Sequence, residues 1–315
     1  MIKLVFFATP DIAIKSLDCL VKSPDFEVQA IVCQPDKPCG RGHKITPPPM
    51  KAYAIEHNIQ VFQPKSIRKE PEVLDKLREL APDFFVTFAF GQILSQEVLD
   101  IPKFETINLH ASLLPKYRGA NPIQRAIING DKKTGICTMI TEAGLDCGNV
   151  CMCKEIEISQ DMNFEQLHDT IAEESPRLIV ETLKSIFNGT MQSIPQNHDE
   201  ATIAPKIKKE DAKINWKLSA QEIHNLVRGI YKAPSAFTHF NNKIVKIMKT
   251  ELVDDSSVTS DNDFGKVACV DKKGIQVLTG NGILNLVKVK PEGKGEMLAR
   301  DWVNGVKIKA GDMFE

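Results

Sequence analysis

The sequence predicts an α/β protein in which a doubly wound, mostly parallel sheet domain is followed by a small β-barrel domain. In the first 190 residues, apolar strand-like runs alternate with amphipathic helical stretches, an order that requires crossover connections and therefore parallel strands. About five short strand-like segments follow a polar stretch, which favours a barrel resembling the oligonucleotide-binding (OB) fold, with a β-sandwich as the alternative. A chain of 315 residues is long enough for both domains.

The strands of the first domain are predicted from runs that are apolar on both faces, as in a sheet covered by helices on both sides. They are Ile2–Ala8, Glu27–Cys33, Phe84–Phe90, Thr106–Leu109 and Gly135–Thr141. Helices are predicted over about residues 10–22, 49–58, 71–81, 121–129 and 163–188. Ligands of such a sheet bind beyond the carboxyl ends of its strands. The turn Ala8-Thr9-Pro10-Asp11 lacks the glycines of the GxGxxG motif, so NAD and flavin dinucleotides are not expected.

The second domain is predicted from a change of pattern. Residues 190–208 are polar and rich in turn-formers, and they are predicted to link a first domain over residues 1–189 to a second over residues 209–315. Ser219-Ala-Gln-Glu222 is a capping-box sequence that starts a helix running to about Ile230. The short strands that follow are predicted at Ala236–Phe240, Ile244–Leu252, Lys266–Val270, Ile275–Thr279 and Ile283–Val289.

The charge is distributed unevenly along a chain whose formal net charge is −1. Residues 206–315 carry 19 basic and 14 acidic side chains, and residues 1–205 carry 21 and 27, so that the two parts have net charges of +5 and −6. A basic segment is a weak indication of a nucleic-acid partner, and a solvated lysine-rich surface is the alternative. No apolar run is long enough to span a membrane, and the N-terminal apolar run lacks a cleavage region, so a cytosolic protein is expected.

The cysteines predict neither a disulfide framework nor a metal site. Eight are present, at positions 19, 33, 39, 137, 147, 151, 153 and 269. Free thiols are expected, because a chain of this length buries a core without cross-links and a cytosolic protein lies among cellular reductants. Cys147, Cys151 and Cys153 are close in sequence, but no CxxC pair is present and the segment alternates like a strand, so no metal is expected.

Asn108 and His110 are the most informative pair of polar residues. They are two positions apart at the end of a predicted strand, so both side chains project from one face towards the crevice at its carboxyl end. An amide donor beside an imidazole forms an oxyanion hole suited to acyl transfer. The alternative is that Asn108 begins a turn and His110 satisfies a buried backbone group.

Further motifs give this pair a context. The motifs are Asn108-Leu-His110, Ser112-Leu-Leu-Pro115, Tyr117-Arg-Gly119, Gly144-Leu-Asp146-Cys-Gly148, Gln34-Pro-Asp-Lys-Pro-Cys-Gly-Arg-Gly42, Phe90-Gly-Gln-Ile-Leu94 and Lys209-Glu-Asp-Ala-Lys-Ile-Asn-Trp216. The first four of these motifs follow one another in the order typical of the N10-formyltetrahydrofolate-dependent formyltransferases, which the chain resembles. The resemblance covers both domains and implies a Rossmann-like catalytic domain followed by an OB-fold-like domain that binds tRNA.

The resemblance implies a catalytic trio of Asn108, His110 and Asp146, with N10-formyltetrahydrofolate as the formyl donor and no metal. It also implies a folate site, whose residues would be Ser112, Leu113, Leu114, Pro115, Phe90, Gly91, Gln92, Ile93 and Leu94. The full-length arrangement is similar to family members that formylate the α-amino group of initiator methionyl-tRNA for translation initiation. A monomer in the bacterial cytosol is expected, without a membrane partner.

The segment from Pro35 to Lys51 is the second candidate binding element. It is basic and rich in glycine and proline, and the resemblance implies that it contacts the acceptor arm of the tRNA through Lys37, Arg41 and Lys44. A solvated surface loop is the alternative.

The chain departs from the family pattern at two positions. Ala8 stands where glycine is expected, and Ala233 stands where an aromatic residue is commoner. Two alternative functions are considered. One is a transferase acting on glycinamide ribonucleotide or an amino sugar nucleotide, and the other is a catalytically silent RNA-binding or folate-sensing protein. The basic insertion at residues 35–51 favours tRNA over the other acceptors, and the intact trio argues against a silent protein.

Overall fold

The computed structural model describes residues 1–39, 44–253 and 263–315. These residues form two compact units, each assembled from three stretches of the chain. The first unit comprises Met1–Pro122, Lys133–Glu157 and His168–Ala204, and the second comprises Ile123–Lys132, Ile158–Leu167 and Pro205–Glu315. The division at residues 189 and 209 remains a prediction from the sequence. Over the described ranges, no helix combines the length and the apolarity that crossing a membrane requires.

The first unit is built on one large sheet. Its strands are β1 (Ile2–Ala8), β2 (Phe26–Val32), β3 (Lys37–Cys39), β4 (Lys44–Thr46), β5 (Gln60–Phe62), β6 (Phe84–Phe88), β7 (Glu105–His110), β8 (Arg118–Gly119), β9 (Lys133–Ile140), β10 (Val150–Glu157) and β11 (Ile203–Ala204). Seven of them form a sheet in the order β10-β9-β7-β6-β1-β2-β5. Strands β5, β2, β1, β6 and β7 are parallel, β9 runs antiparallel to β7, and β10 runs antiparallel to β9. Strands β3 and β4 form a separate hairpin, and β8 pairs in parallel with β11.

The strand order places a crevice beside β1. The chain proceeds from β1 outward to β2 and β5, and then returns to the other side of β1 with β6 and β7. The order therefore reverses between β1 and β6, which is where ligands bind in sheets of this kind. At this point the Thr9 hydroxyl, just after β1, donates a hydrogen bond to the Phe90 carbonyl, just after β6, over 3.1 Å. The predicted doubly wound, mostly parallel sheet is confirmed.

Helices connect the strands. They are α1 (Ile14–Lys22), α2 (Pro49–Glu56), α3 (Pro71–Glu79), α4 (Gln96–Leu99), α5 (Pro122–Ile128), α6 (Phe164–Phe187), α7 (Ala220–Gly229) and α8 (Ala299–Val306). Pro49 and Pro71 lie in the first turns of α2 and α3, where the missing N–H would have no partner within the helix. The short helix α4, the hairpin β3–β4 and the strands β5, β8 and β11 have too few residues to show a period, and the sequence did not predict them.

Phenylalanines form the central part of the core in the first unit. Phe7 of β1 packs against Phe85 of β6 with ring centroids 4.8 Å apart, and against Phe90 at 5.4 Å. Valines and leucines from β1, β2, α3 and α4 complete this cluster. Burial of so much apolar surface on both faces fixes the ends of β1 and β6, and the loops that follow these strands start from rigid positions.

The second unit contains a six-stranded antiparallel sheet that curls into a half-barrel. Its strands are β12 (Phe237–Phe240), β13 (Lys243–Val253), β14 (Val267–Val270), β15 (Ile275–Leu278), β16 (Ile283–Pro291) and β17 (Met297–Leu298). Strands β12, β13, β16, β15 and β14 are neighbours in that order, and β17 pairs with β16. Both halves of the predicted capping box of α7 are present, between Ser219 and Glu222. The prediction of a small β-barrel-like second domain is confirmed, in the form of this half-barrel.

The cysteine prediction is wrong for one pair. Cys137 of β9 and Cys153 of β10 lie opposite each other in the antiparallel register and form a disulfide. Their separation of 16 residues carries no local signal, because the pairing depends on the register of the two strands. The thiols of Cys19, Cys33, Cys147, Cys151 and Cys269 are free, and burial raises the pKa of Cys33 and of Cys151 to about 11.

Candidate active site

Asn108 lies near the carboxyl end of β7 with its side-chain amide held in one orientation. The buried hydroxyl of Thr87, on the neighbouring strand β6, donates to Asn108 Oδ1 over 2.7 Å. Thr87 and Asn108 are partners in the parallel register of the two strands. Because the amide oxygen accepts this bond, the amide nitrogen is left to donate towards the crevice.

His110, two residues further on, has one nitrogen bonded to the backbone. Its side chain is only 5% exposed, and Nε2 lies 2.9 Å from the carbonyl oxygen of Tyr117. A carbonyl can only accept, so Nε2 carries a proton. The nitrogen that faces Asp146 is therefore Nδ1, which lies 3.6 Å from Asp146 Oδ2. Nδ1 is bare in the neutral imidazole and becomes a donor when the ring is charged.

Asp146 lies in the loop between β9 and β10, and its backbone has a φ of +47°. This left-handed conformation is uncommon for residues other than glycine, although aspartate and asparagine adopt it more readily than most. The Gly119 N–H donates to Asp146 Oδ2 over 2.8 Å. Gly119 itself has a φ of +113°, and a Cβ at this position would lie 3.0 Å from the carbonyl oxygen of Ala204. The carboxylate is thus fixed from β8 on one side and faces His110 on the other.

The loop after β6 shows which parts of the predicted folate site can contact a ligand. Phe90 is in the core, and the side chain of Gln92 accepts from Ile67 N over 2.8 Å and donates to the Pro64 carbonyl over 3.0 Å. Ile93 is 72% exposed, Leu94 packs partly against the core, and Gly91 adopts a φ of +81°. The Phe90 and Gly91 carbonyls accept from Thr9 and Gln34, so the remaining backbone of this loop and the Ile93 side chain are the groups that stay open to a planar ligand.

The predicted motif 112–115 forms a tight turn directly after β7. Ser112 is fully buried and donates from its hydroxyl to the Lys116 carbonyl over 2.6 Å. Leu113 packs over Gly135 of β9, where an added Cβ would lie 2.5 Å from the leucine side chain. Leu114 and Pro115 are half-buried, and their peptide bond is cis. The Ser112 hydroxyl therefore stabilises the turn, and the half-buried pair is the part of the motif open to a ligand.

Two of the three basic residues predicted to bind tRNA, Lys37 and Lys44, lie on the paired strands β3 and β4. Lys37 opens β3 and donates to Gln34 Oε1 over 2.5 Å, and Lys44 is the first residue of β4. Arg41 lies outside the described residues. The hairpin is anchored by Asp36, which accepts from Lys51 Nζ over 2.7 Å and from Gln63 Nε2 over 2.8 Å. These bonds hold the pKa of Asp36 below its usual range.

Several residues that shape the site were not predicted from the sequence. Gln34 Nε2 donates to the Phe90 and Gly91 carbonyls over 3.2 and 3.4 Å and thereby fixes the loop after β6. Thr87 orients Asn108, and Gln196 contacts the backbone around Asp146. Each is distant in sequence from the residue it supports, so no local spacing signals the contact.

A separate cavity of about 560 Å³ lies at the amino end of β7. Its lining includes Glu105, Thr106 and Glu142, and none of the predicted site residues. Burial, followed by the charge of Glu142, raises the pKa of Glu105. Within the described ranges, no group of three or more His, Cys, Asp and Glu side chains is placed to hold a metal ion.

Comparison with known proteins shows the family to which the chain belongs. Residues 2–183 match the formyl transferase family, and residues 206–307 match the C-terminal domain of formyl transferases. The chain is 45% identical over 314 residues to a methionyl-tRNA formyltransferase of Acetivibrio thermocellus, with 99% of each protein covered. It is 43% identical over 313 residues to the Clostridium perfringens enzyme of the same name, with 99% of this chain and 100% of that protein covered.

Solved structures share the fold at lower identity. An N-formyltransferase from Helicobacter canadensis, in complex with folinic acid and dTDP-3-aminofucose, matches with a TM-score of 0.67 at 22% identity, covering 91% of this chain and 99% of the other. A methionyl-tRNA formyltransferase from Clostridium thermocellum matches with a TM-score of 0.55 at 15% identity, covering 80% and 94%. The near full-length identity to the curated relatives decides the assignment: the chain belongs to the methionyl-tRNA formyltransferases, a branch of the formyl transferase family.

Proposed function

We propose that this chain transfers the formyl group of N10-formyltetrahydrofolate to the α-amino group of the methionyl residue on initiator methionyl-tRNA, for translation initiation. The observation that carries the proposal is the convergence of an amide donor, Asn108, with the His110–Asp146 pair at the carboxyl edge of the sheet. The identity of more than 40% to methionyl-tRNA formyltransferases along the whole chain supports the choice of acceptor.

The reaction forms a bond between the methionyl nitrogen and the formyl carbon and breaks the bond between that carbon and N10 of the folate. The attacking amine must be neutral, and a pKa of about 8 leaves a usable neutral fraction at physiological pH. As the amine adds, the formyl oxygen becomes anionic. Asn108 Nδ2 and a protonated His110 Nδ1 donate hydrogen bonds to this oxygen and stabilise it.

Asp146 orients His110 and accepts a proton in this step. Its carboxylate lies 3.6 Å from His110 Nδ1 and holds the imidazole in place beside the developing oxyanion. It also accepts the proton that the amine loses on forming the amide, and N10 of the folate takes up a proton as it leaves. The left-handed backbone of Asp146 and the Gly119 N–H set the direction of the carboxylate before the substrate binds.

The folate co-substrate is proposed to lie between the loop after β6 and the turn after β7. Residues 90–94 and 112–115 contribute backbone groups and the exposed Ile93 side chain, which suit a flat ring that carries several donors and acceptors in one plane. This loop lies beside the crevice between β1 and β6, and β7, which carries Asn108, is the next strand after β6. A co-substrate bound here would present its formyl group to Asn108.

The tRNA is proposed to contact Lys37, Arg41 and Lys44 and the basic surface of the second unit. On that surface Lys246 of β13 lies opposite Lys290 of β16 in the antiparallel register. Burial, and then the charges of Lys290 and Lys209, lower the pKa of Lys246. Like charges placed opposite each other repel, and a phosphate group relieves that repulsion. This lysine cluster, Lys209, Lys246 and Lys290, is the proposed phosphate contact.

One competition assay tests the reaction. Purified protein is incubated with N10-formyltetrahydrofolate and initiator methionyl-tRNA, glycinamide ribonucleotide or an amino sugar nucleotide as alternative acceptors. Formylation of methionyl-tRNA at a kcat/KM at least about 100-fold above the other acceptors supports the proposal. Transfer to another acceptor alone contradicts it. We also propose that the protein acts as a monomer, which light scattering of the purified protein alone tests, and that it works in the bacterial cytosol, which cell fractionation tests.

A further inference from the structure

The side chain of Gln196 is buried against the loop that carries Asp146. It is 8% exposed, and its Nε2 donates to the carbonyl oxygens of Asp146 over 3.0 Å and of Gly148 over 2.7 Å. Its Oε1 accepts from Nε and Nη2 of Arg118 over 3.1 and 2.7 Å. A guanidinium only donates, so the orientation of the amide is fixed, with both N–H groups used on the Asp146 loop.

Arg118 is in turn held by residues close to Gln196 in the sequence. The Arg118 side chain is 8% exposed, and its Nη2 lies 3.2 Å from His198 Nδ1, which must accept. The backbone N–H of Arg118 donates to the Thr202 carbonyl over 2.8 Å, at the start of the β8–β11 pairing. Gln196 is thus one end of a rigid connection between the Asp146 loop and β8.

The same stretch of chain supports the partner of Asp146. The Tyr117 N–H donates to Thr202 Oγ1 over 2.9 Å, and the Tyr117 carbonyl accepts from His110 Nε2. Gly119, which donates to the Asp146 carboxylate, follows Arg118 on β8. Residues 196–204 therefore fix both sides of the His110–Asp146 pair, and Gln196 is the member that bonds directly to the Asp146 backbone.

We propose that Gln196 is a positioning residue for catalysis: by binding the carbonyls of Asp146 and Gly148 it holds the left-handed backbone that directs the Asp146 carboxylate towards His110. This inference rests on the proposed formyl transfer. Gln196 bonds to the loop and to Arg118, and its effect on the reaction passes through Asp146. Without the two N–H donors, the loop relaxes and the carboxylate moves away from His110 Nδ1.

Two variants of Gln196 test this role. Gln196→Met keeps the length of the side chain and removes all four hydrogen bonds. Gln196→Glu keeps an acceptor for Arg118, with which it forms an ion pair, but presents an oxygen to the two carbonyls in place of the N–H donors. Gln29→Met is the matched control, since Gln29 Nε2 donates to the Leu80 carbonyl over 2.9 Å, outside the site.

The expected result is a loss in kcat with little change in binding. Both Gln196 variants lower kcat by about 10- to 100-fold and leave the KM for N10-formyltetrahydrofolate within about twofold, because a small displacement of a catalytic group slows the chemical step. A purely structural role would lower the melting temperature without this split between kcat and KM.

Other outcomes would overturn the inference. If either variant folds and shows the kcat of the parent, Gln196 does not position Asp146. If Gln196→Met does not fold, Gln196→Glu decides, since its ion pair with Arg118 retains the buried contact. If the parent protein forms no formyl-methionyl-tRNA, the proposed function fails, which is a different result from an active parent with equally active variants.

Discussion

At the scale of single residues, hydrogen bonds decide which atoms of the site are free to react. The Tyr117 carbonyl occupies His110 Nε2, and the Thr87 hydroxyl occupies Asn108 Oδ1. Asn108 Nδ2 and His110 Nδ1 remain for the substrate. Sequence spacing placed both side chains on one face of a strand. The tautomer and the amide orientation depend on the Tyr117 backbone carbonyl and the Thr87 hydroxyl, and the sequence did not predict either contact.

The role of Asp146 predicts the effect of removing its charge. Asp146→Asn lowers kcat by about 100-fold or more and changes the KM for either substrate less than threefold, because the proton acceptor and the partner of the charged imidazole are lost. The variant is expected to fold, since asparagine tolerates a φ of +47° and its amide oxygen still accepts from Gly119 N–H. Steady-state formylation kinetics measure the effect, with Glu142→Gln in the same loop as the control. A kcat close to that of the parent would remove Asp146 from the mechanism.

The Thr87 hydroxyl predicts a smaller effect. Thr87→Val keeps the shape of the side chain but releases the amide of Asn108. We expect kcat to fall by about 10-fold, which corresponds to the free energy of one hydrogen bond. Thr134→Val is the matched control, because the Thr134 hydroxyl is buried and has no hydrogen-bond partner within the described ranges. The measurement is kcat at saturating substrates. Equal losses in the two variants would mean that the hydroxyl acts through general packing.

At the scale of elements, helix α7 carries a buried polar cluster. His224 is 3% exposed, its Nε2 donates to the Gln160 carbonyl over 3.3 Å, and its Nδ1 accepts from the Thr250 hydroxyl over 2.9 Å. Arg228, one turn further, donates to the carbonyls of Ser159 and Met162. The capping box was predictable from the sequence, but these contacts join residues 26 to 69 positions apart and depend on the fold of the second unit.

Burial of His224 predicts a loss of stability in acid. Burial is the largest cause that lowers the pKa of His224, Arg228 also lowers it, and the Gln160 backbone, Asp161 and Glu251 act in the opposite direction. The folded state then binds fewer protons than the unfolded state below about pH 6.5, so the stabilising contribution is present above that pH and is lost as the pH falls. Thermal unfolding at pH 7.5 and 5.5 measures this. His224→Gln should show a smaller difference than the parent, and equal pH dependence in the two proteins would contradict the assignment.

At the scale of the whole molecule, the uneven charge predicts salt-dependent binding of tRNA. Residues 206–315 carry a net charge of +5, and Lys290 lies opposite Lys246 on the proposed surface. Methionyl-tRNA affinity should fall by at least about 10-fold between 50 and 200 mM salt, because the release of counterions from the phosphates is less favourable at higher salt. Lys290→Gln should weaken binding and reduce the slope of log K against log salt by about one, and Lys272→Gln in a turn serves as the control. Filter binding across a salt series checks this, and an unchanged slope for Lys290→Gln would exclude the lysine cluster.

The fold class was predictable because buried strands appear in the sequence as continuous apolar runs and helices appear as amphipathic stretches, both of which are local patterns. Asn108 and His110 were predictable for the same reason, since their spacing within one strand sets the face on which they lie. The contacts of Gln196 were not predictable, because residues 190–208 show no periodicity and their pairing with β8 is formed by the tertiary fold. The disulfide of Cys137 with Cys153 likewise depends on a register that neither strand encodes alone.

The three-stretch construction of the second unit limits how this protein can be recombined with its relatives. Arg228, from the C-terminal part of the sequence, binds carbonyls of residues 159 and 162, which precede it by more than 60 positions. A hybrid joined once at residue 205 would combine a half-barrel from one parent with the segments 123–132 and 158–167 of another. Working chimeras therefore require these two segments to be exchanged together with the half-barrel. Exchange of the C-terminal part of the sequence alone would separate residues that fold as one unit.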